Sequence, residues 1–409
     1  MKSDLSLAIA CQSIRLDGGM GRYILDLIEG LNSLGIHPTI FTKKIDPSVC
    51  QNLRFESVVI NCKLFPTKLR DYYFNFRLDS LMKHRQFDAV LSTNRYPGAT
   101  ISFCGGTHIG YLRGIGKKTS FFDKKMIALE SKCYQQSQLV IAHSDGMSRE
   151  ICDLYGISKE KVQTVYPPID GTRFNAEPAT AAEIQSFREE FGVPKDHTVF
   201  LIPSAGSQYV KGMDILQRFF SSTALPVTLL VAGRPVEEVR NVKYIGFRKD
   251  MERVYKLVDY TILASRYEAF GLVAVESVFS GTPVVLTPNV YSNEVIAPDG
   301  KIILDTSSDS SITIAIQNAI MNKHRLSNAA QLVSPQYTPY DHAKRVLTAA
   351  HLILDSLRND PNSLQTSQSC RRLLHGTAWP QASRGKWPHT SSDRQALGGG
   401  SSCGDGLAL

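Results

Sequence analysis

Tyr260-Thr-Ile-Leu-Ala-Ser-Arg-Tyr-Glu-Ala-Phe-Gly-Leu-Val-Ala-Val-Glu276, followed by Ser280-Gly-Thr-Pro-Val-Val-Leu286, decides how the chain is read. The apolar run 260–263 has the length and composition of a buried strand. A loop with Glu268 and Gly271 comes next, then a helical pattern over 273–280 that carries Glu276. A second apolar run at 283–286 completes a strand–helix–strand unit, the repeat from which parallel sheets are built. Loop N–H groups at the start of such a helix can cradle phosphate. Two carboxylates beside the same cleft can accept hydrogen bonds from vicinal hydroxyls. Together these features suit a sugar nucleotide.

Strand-like runs at 198–203, 227–232, 242–245 and 301–304 surround this unit, with helical patterns at 211–221, 251–257 and 310–321. Upstream, Tyr166-Pro-Pro-Ile-Asp170 breaks the pattern, because adjacent prolines block a helix and suit a linker. Before it the alternation runs a first time. Strands are expected at 5–11, 38–42, 58–60, 89–92, 101–104, 139–142 and 162–165, and helices at 22–34, 74–85, 124–137 and 148–154. The expected architecture is α/β, with two open parallel-sheet domains facing a central cleft and a final helix near 342–357. Residues 358–409, rich in Ser, Gly, Arg and Gln, read as a disordered extension.

The chain has 409 residues, 43% apolar and 21% charged, which excludes wholesale disorder and fibre architectures. No run approaches the ~20 apolar residues of a membrane-spanning helix. The opening segment is interrupted by Asp4 and Gln12 and reads as a first strand rather than a signal peptide. The eight cysteines show no metal-binding spacing, and reduced thiols in a cytoplasmic protein are the simplest reading. The net charge is +8, with the surplus in the first half and the extension, which points to an anionic partner or to an ordinary solvated surface.

Two glycine-rich segments follow strands. Leu16-Asp-Gly-Gly-Met-Gly-Arg22 lacks both the GxGxxG dinucleotide spacing and the GxxxxGK[ST] triphosphate spacing. Ser204-Ala-Gly-Ser-Gln-Tyr-Val-Lys-Gly-Met-Asp214 repeats the layout and places Lys211 near a helix start, where a cation can neutralise a diphosphate. Phe103-Cys-Gly-Gly-Thr-His108 sets a histidine at the end of another strand.

The 260–286 segment resembles the signature of retaining glycosyltransferase family 4, roughly E-G-F-G-hydrophobic-x-x-x-E followed by G-x-P-V-V. Ala269 stands where the family has its first glycine. Gly18-Gly-Met-Gly-Arg22, Lys211-Gly212 and Tyr166-Pro-Pro-Ile-Asp170 match in place and order, and the similarity covers about residues 1–357. The resemblance implies the GT-B architecture of two Rossmann-like domains: 1–168 for the acceptor, 169–340 for the nucleotide-sugar donor, and 341–357 as a closing helix. It implies that Gly19 and Gly21 lie on a loop near the donor diphosphate and that Lys211 pairs with it. Glu276 would receive the ribose hydroxyls. Glu268 and the backbone of Ala269, Phe270, Gly271 and Leu272 would hold the transferred sugar and its phosphate. His108 would lie near the reacting sugar, so His108, Glu268 and Lys211 are the expected catalytic set. Many members carry an arginine shortly before the lysine; residues 204–210 contain none, leaving Arg22, Arg234, Arg266 or loop amides to serve.

The expected reaction is metal-independent transfer of a hexose or N-acetylhexosamine from a nucleotide-sugar, with UDP the favoured carrier. No cofactor and no metal are expected, since the chain has no Asp-x-Asp and the architecture generally needs no divalent ion. Basic, aromatic stretches at 62–77 and 111–127 suit docking on an anionic membrane surface. Similarity to bacterial lipopolysaccharide core glycosyltransferases points to a lipid-linked acceptor. It implies a cytoplasmic location, peripheral at the inner face of the inner membrane. Capsule or exopolysaccharide synthesis is the alternative. A sugar-nucleotide epimerase, a phosphorylase and a nucleic-acid binder stay open behind it; a nucleic-acid binder would leave the paired glycine-rich loops unexplained.

Overall fold

The computed structural model describes residues 5–16, 18–204 and 206–359. Seven strands form the first sheet: β1 (Leu7–Cys11), β2 (Thr39–Thr42), β3 (Glu56–Val59), β4 (Ala89–Ser92), β5 (Ile101–Cys104), β6 (Leu139–Ala142) and β7 (Val162–Thr164). All pairings are parallel, in the order β3-β2-β1-β4-β5-β6-β7. Its helices are α1 (Gly19–Ser33), α2 (Arg70–Met82), α3 (His108–Gly114), α4 (Phe121–Gln136) and α5 (Asp145–Tyr155). Every residue of β1 is buried. A parallel sheet covered on both faces requires this, and it is why the strand reads as an unbroken apolar run.

The second sheet has six parallel strands: β8 (Thr198–Ser204), β9 (Val227–Gly233), β10 (Val242–Tyr244), β11 (Tyr260–Leu263), β12 (Val284–Leu286) and β13 (Lys301–Ile303), ordered β10-β9-β8-β11-β12-β13. The helices α6 (Ala181–Glu190), α7 (Met213–Ser222), α8 (Met251–Val254), α9 (Leu272–Phe279) and α10 (Asp309–Met321) accompany it. The expected α/β class and doubled parallel architecture are therefore present.

The last helix, α11 (Pro339–Asn359), follows the second sheet in sequence but packs on the first. Ala343, Val346, Leu347 and Ala350 share one apolar cluster with Ile24, Leu27, Ile28 and Leu31 of α1. His342 fastens the crossing. Its Nδ1 lies 3.1 Å from the Tyr166 carbonyl, which can only accept, so Nδ1 carries the proton. Its Nε2 then accepts from the Tyr23 hydroxyl at 2.8 Å. Both passages of the chain between the sheets are thereby tied to α1.

Three expectations need correction. Helix α1 begins at Gly19 with Gly18 as N-cap, so Gly19 and Gly21 belong to its first turn and not to a preceding loop. No helix is expected over 108–114 and the next is expected at 124–137; the basic stretch 111–127 instead spans the end of α3, the connection 115–120 and the start of α4 at Phe121. Thr107 caps α3 by accepting from the Gly110 N–H, and Ser120 with Asp123 forms a capping box at the start of α4. Arg358 and Asn359 end α11 and do not open the extension; residues 360–409, the rest of that expectation, lie outside the described residues.

Candidate functional site

In an open α/β sheet, ligands favour the carboxyl ends of strands where the strand order reverses. In the second sheet that point lies between β8 and β11. The turn after β8 carries Lys211 and the loop after β11 carries Glu268, and the Lys211 ammonium pairs with the Glu268 carboxylate. Backbone contacts fix the two loops together. Arg266 N–H donates to the Val210 carbonyl at 2.8 Å. Gly212 has φ +70°, and a Cβ there would stand 2.1 Å from the Ala264 carbonyl oxygen. Only glycine allows this approach, and it sets Lys211 over the end of β11.

Glu276 lies one turn into α9, whose N-cap is Gly271 in the left-handed region. It is half-buried, and the fully buried Tyr255 donates its hydroxyl to Glu276 Oε2 at 3.1 Å. Burial raises the Glu276 carboxyl above the ordinary range, while the Tyr255 bond and the charges of Arg22 and Arg173 oppose this. A carboxylate held in place by a tyrosine, with its other oxygen uncommitted to Tyr255, is a ready acceptor for vicinal hydroxyls.

The matching reversal in the first sheet lies between β1 and β4. Here α1 starts. A Cβ on Gly21 would fall 1.9 Å from the Arg15 carbonyl oxygen, so glycine brings the helix against the chain leaving β1. Arg22 bonds Asp26 at 3.0 Å. Burial pushes the Asp26 carboxyl up to about 7; Arg22 opposes, and the charges of Glu29 and Glu276 add. The first turns of α1 and the α9 carboxylate therefore share one electrostatic environment across the cleft. After β4, Asn94 is 9% exposed, and neither its amide oxygen nor its amide nitrogen has a hydrogen-bond partner.

His108 opens α3. Its backbone N–H donates to Glu130 Oε2 at 2.7 Å, and its ring Nε2–H donates to Asp123 Oδ1 at 3.0 Å. Asp123 also accepts from Ser120, and these bonds hold its carboxyl well below the usual range. The ring is thus anchored toward α4, while the backbone just before it meets the second sheet. The Thr107 N–H donates to the Tyr267 hydroxyl at 2.7 Å.

Of the three arginines considered as partners for a leaving diphosphate, Arg266 is held bidentately by Asp214 at 2.6 and 2.7 Å. It also stacks 3.9 Å over the Tyr209 ring. Arg22 is engaged by Asp26. Arg234 follows β9, is exposed, and its side chain makes no hydrogen bond or ion pair among the described residues.

Sequence reasoning missed the groups that join the two sheets. Glu150 of α5 accepts from the hydroxyls of Thr107, Tyr267 and Tyr291 at 2.6, 3.1 and 3.0 Å. Glu294 accepts from the Asp145 and Gly146 N–H groups at the start of α5, where a carboxylate is stabilised by the helix dipole. Ser144 donates to the Ala269 carbonyl at 3.0 Å. No local pattern marks these residues, because their partners are remote in sequence. The buried thiols of Cys11, Cys104 and Cys133 are each pushed up to about 12 by burial, which leaves them inert as nucleophiles at neutral pH.

Residues 17–173 match the sequence model of Glycosyltransferase Family 4, and residues 197–322 match Glycosyl transferases group 1. The chain is 35% identical over 341 residues to a protein of Burkholderia thailandensis named as a probable transglycosylase, covering 82% of this chain and 93% of that one. Among solved structures, WaaG, a glycosyltransferase involved in lipopolysaccharide biosynthesis, superposes with a TM-score of 0.67 at 16% identity, over 90% of this chain and all (100%) of WaaG. HepE of Anabaena, solved with UDP and glucose, superposes with a TM-score of 0.60 at 15% identity, covering 88% and 100% of the two chains. These likenesses match the two-sheet GT-B fold. Fold, ordered motifs and full-length relative agree: the chain belongs to glycosyltransferase family 4.

Proposed function

We propose that the chain moves a hexose or N-acetylhexosamine from a nucleotide-sugar, with UDP as carrier, to a lipid-linked acceptor such as a lipopolysaccharide core. The observation that carries this reading is the convergence of the Lys211–Glu268 pair at the strand-order reversal with Glu276 on the neighbouring helix. Lys211 and the N–H groups after Glu268 would meet the diphosphate. Glu276 would take the ribose hydroxyls, and Glu268 those of the sugar. The crystal complex of HepE with UDP and glucose supports a uridine donor in this fold, and WaaG supports a lipopolysaccharide acceptor.

In the proposed reaction the bond from the anomeric carbon to the diphosphate oxygen breaks, and a bond to the acceptor oxygen forms on the same face. The acceptor proton passes to the departing diphosphate. Negative charge builds on the leaving group, and prearranged cations and N–H donors stabilise it without reorganising. His108 would act from the acceptor side, its ring fixed by Asp123. Asn94 has an unpaired amide at the first sheet's reversal and would bond acceptor hydroxyls. The transfer needs no metal in this scheme. The enzyme would work in the cytoplasm, docked on the inner face of a bacterial inner membrane. Among the described residues, no helix is long and apolar enough to cross a membrane.

Calorimetric titration of UDP, GDP and ADP with and without EDTA tests the donor half. UDP should bind tightly, indifferently to EDTA, and not in Glu276→Ala. Absence of binding by all three nucleotides would overturn the donor assignment.

A further inference from the structure

A groove of about 1030 Å³ opens between α2 and α4, away from the Lys211–Glu276 region. Leu69, Tyr72 and Phe76 recur at helical spacing on one wall, and Phe122, Met126 and Leu129 on the other. Such stripes normally face a core. These do not: Leu69 is 47%, Phe76 68% and Phe122 42% exposed. Helix α2 buries only Phe74, Asn75 and Leu78 against the rest of the protein. One end is braced by the Tyr72 hydroxyl donating to the Lys125 carbonyl at 3.1 Å.

Lysines outnumber acids around this apolar floor, four to two. Lys68, Lys117, Lys125 and Lys132 line the groove. Its two acids are already committed, Asp79 to the Tyr96 hydroxyl at 2.8 Å and Asp123 to Ser120, His108 and Lys117. The Lys68 ammonium rests 4.0 Å over the Phe122 ring and Lys125 4.8 Å over Phe121, so cation and ring are presented together. The volume is that of a small-molecule site.

We propose that this groove binds one anionic phospholipid, its chain lying between α2 and α4 and its phosphate on Lys68 and Lys125. The proposal rests on the membrane half of the proposed function and not on the donor. It goes further by drawing a lipid molecule into the fold, where charge alone would only hold the protein at a surface. Charge complementarity selects the occupant. A second copy would set lysines against lysines. The chain's own end carries Arg371, Arg372, Arg384, Lys386 and Arg394 against Asp360, Asp393 and Asp405, the wrong sign for the site.

Monomeric dihexanoyl phosphatidylglycerol, kept below its micelle concentration, tests this by calorimetric titration into the full chain. Saturable one-to-one binding is expected, at least tenfold tighter than for dihexanoyl phosphatidylcholine, with no heat from glycerol 3-phosphate. Leu129→Trp, which fills the groove, and Lys68→Glu with Lys125→Glu should each weaken binding at least tenfold. A parallel UDP titration reports on the donor site in the same samples. Its failure would sink the donor reading and leave the lipid result standing. Binding to phosphatidylglycerol vesicles without saturable binding of the monomer would overturn the proposal. So would unchanged binding by Leu129→Trp, or a lipid-independent dimer that covers the groove.

Discussion

The Tyr267 hydroxyl, on the loop that leads from β11 to α9, donates to Glu150 of α5 at 3.1 Å and so joins the two sheets beside the candidate site. Tyr291 takes the other carboxylate oxygen at 3.0 Å, so one acid holds two tyrosines of the opposite sheet. Hydrogen bonds to a charged acceptor contribute about 1.5–3 kcal/mol each when shielded from water. Glu150→Ala should therefore lower stability by about 2 kcal/mol and, by releasing the clasp, enlarge the radius of gyration seen by small-angle scattering. A variant with unchanged melting and unchanged scattering would show that the clasp does not hold the sheets together.

Lys211 and Glu268 neutralise one another, so each substitution has a second effect on its partner. Lys211→Ala removes the cation and also leaves a carboxylate facing the place proposed for the diphosphate. Loss of one prearranged donor costs on the order of 10²–10³ in kcat. Lys211→Ala should fall at least that far, while the double variant with Glu268→Gln should regain part of the nucleotide affinity. Coupling of this kind is what a double-mutant cycle measures. Strictly additive losses would mean that the two side chains act independently on the donor.

Legibility in the sequence followed the range of the interaction. Residues 260–263 were readable as a strand because all four are buried and the run, Tyr-Thr-Ile-Leu, is apolar but for the β-branched Thr261. Lys211, Glu268 and Glu276 were readable as candidates because each lies close to a strand end that the pattern itself locates. Helix α3 was not, since seven residues containing Gly110 and Gly114 carry no period to detect. Helices α4 and α6 start at capping boxes, Ser120 with Asp123 and Thr180 with Glu183; that local signal would have placed both starts. The Glu150 clasp and the shared field of Arg22, Asp26 and Glu276 depend on side chains brought together only by the tertiary fold, so no local spacing encodes them.

Asp26 gives the alkaline side of the stability profile a definite sign. Burial raises its carboxyl from an ordinary 3.8 to about 7 in the folded protein. An acid raised on folding favours the native state fully below its unfolded value, and that contribution is lost as pH climbs from about 4 toward 7. Asp26→Asn keeps the shape without the charge. It should melt higher than the parent at pH 8, with the difference shrinking by pH 5. An Asn variant less stable at pH 8 would show that the Arg22 ion pair outweighs the cost of burying the charge.

The acid side belongs to His143 and His342, both buried, with burial lowering them from 6.5 to about 3 and about 4. The His143 ring lies 4.4 Å from that of Tyr23, tilted by 46°, and its Nε2 has no partner. His342 has its Nδ1 on the Tyr166 carbonyl and its Nε2 on Tyr23. For bases depressed on folding, stability is complete above the unfolded value and drains away as pH falls from 6.5 through 4. Each contributes a slope of roughly 1.4 kcal/mol per pH unit within that window. Between pH 6.5 and 5 Asp26 slopes the other way, but its contribution is common to parent and variant and cancels in the difference between them. His143→Phe, which keeps a ring against Tyr23 and removes the unpaired nitrogen, should reduce the steepness there by roughly 1.4 kcal/mol per pH unit in denaturant titrations. An unchanged slope would mean that His143 takes up its proton without unfolding.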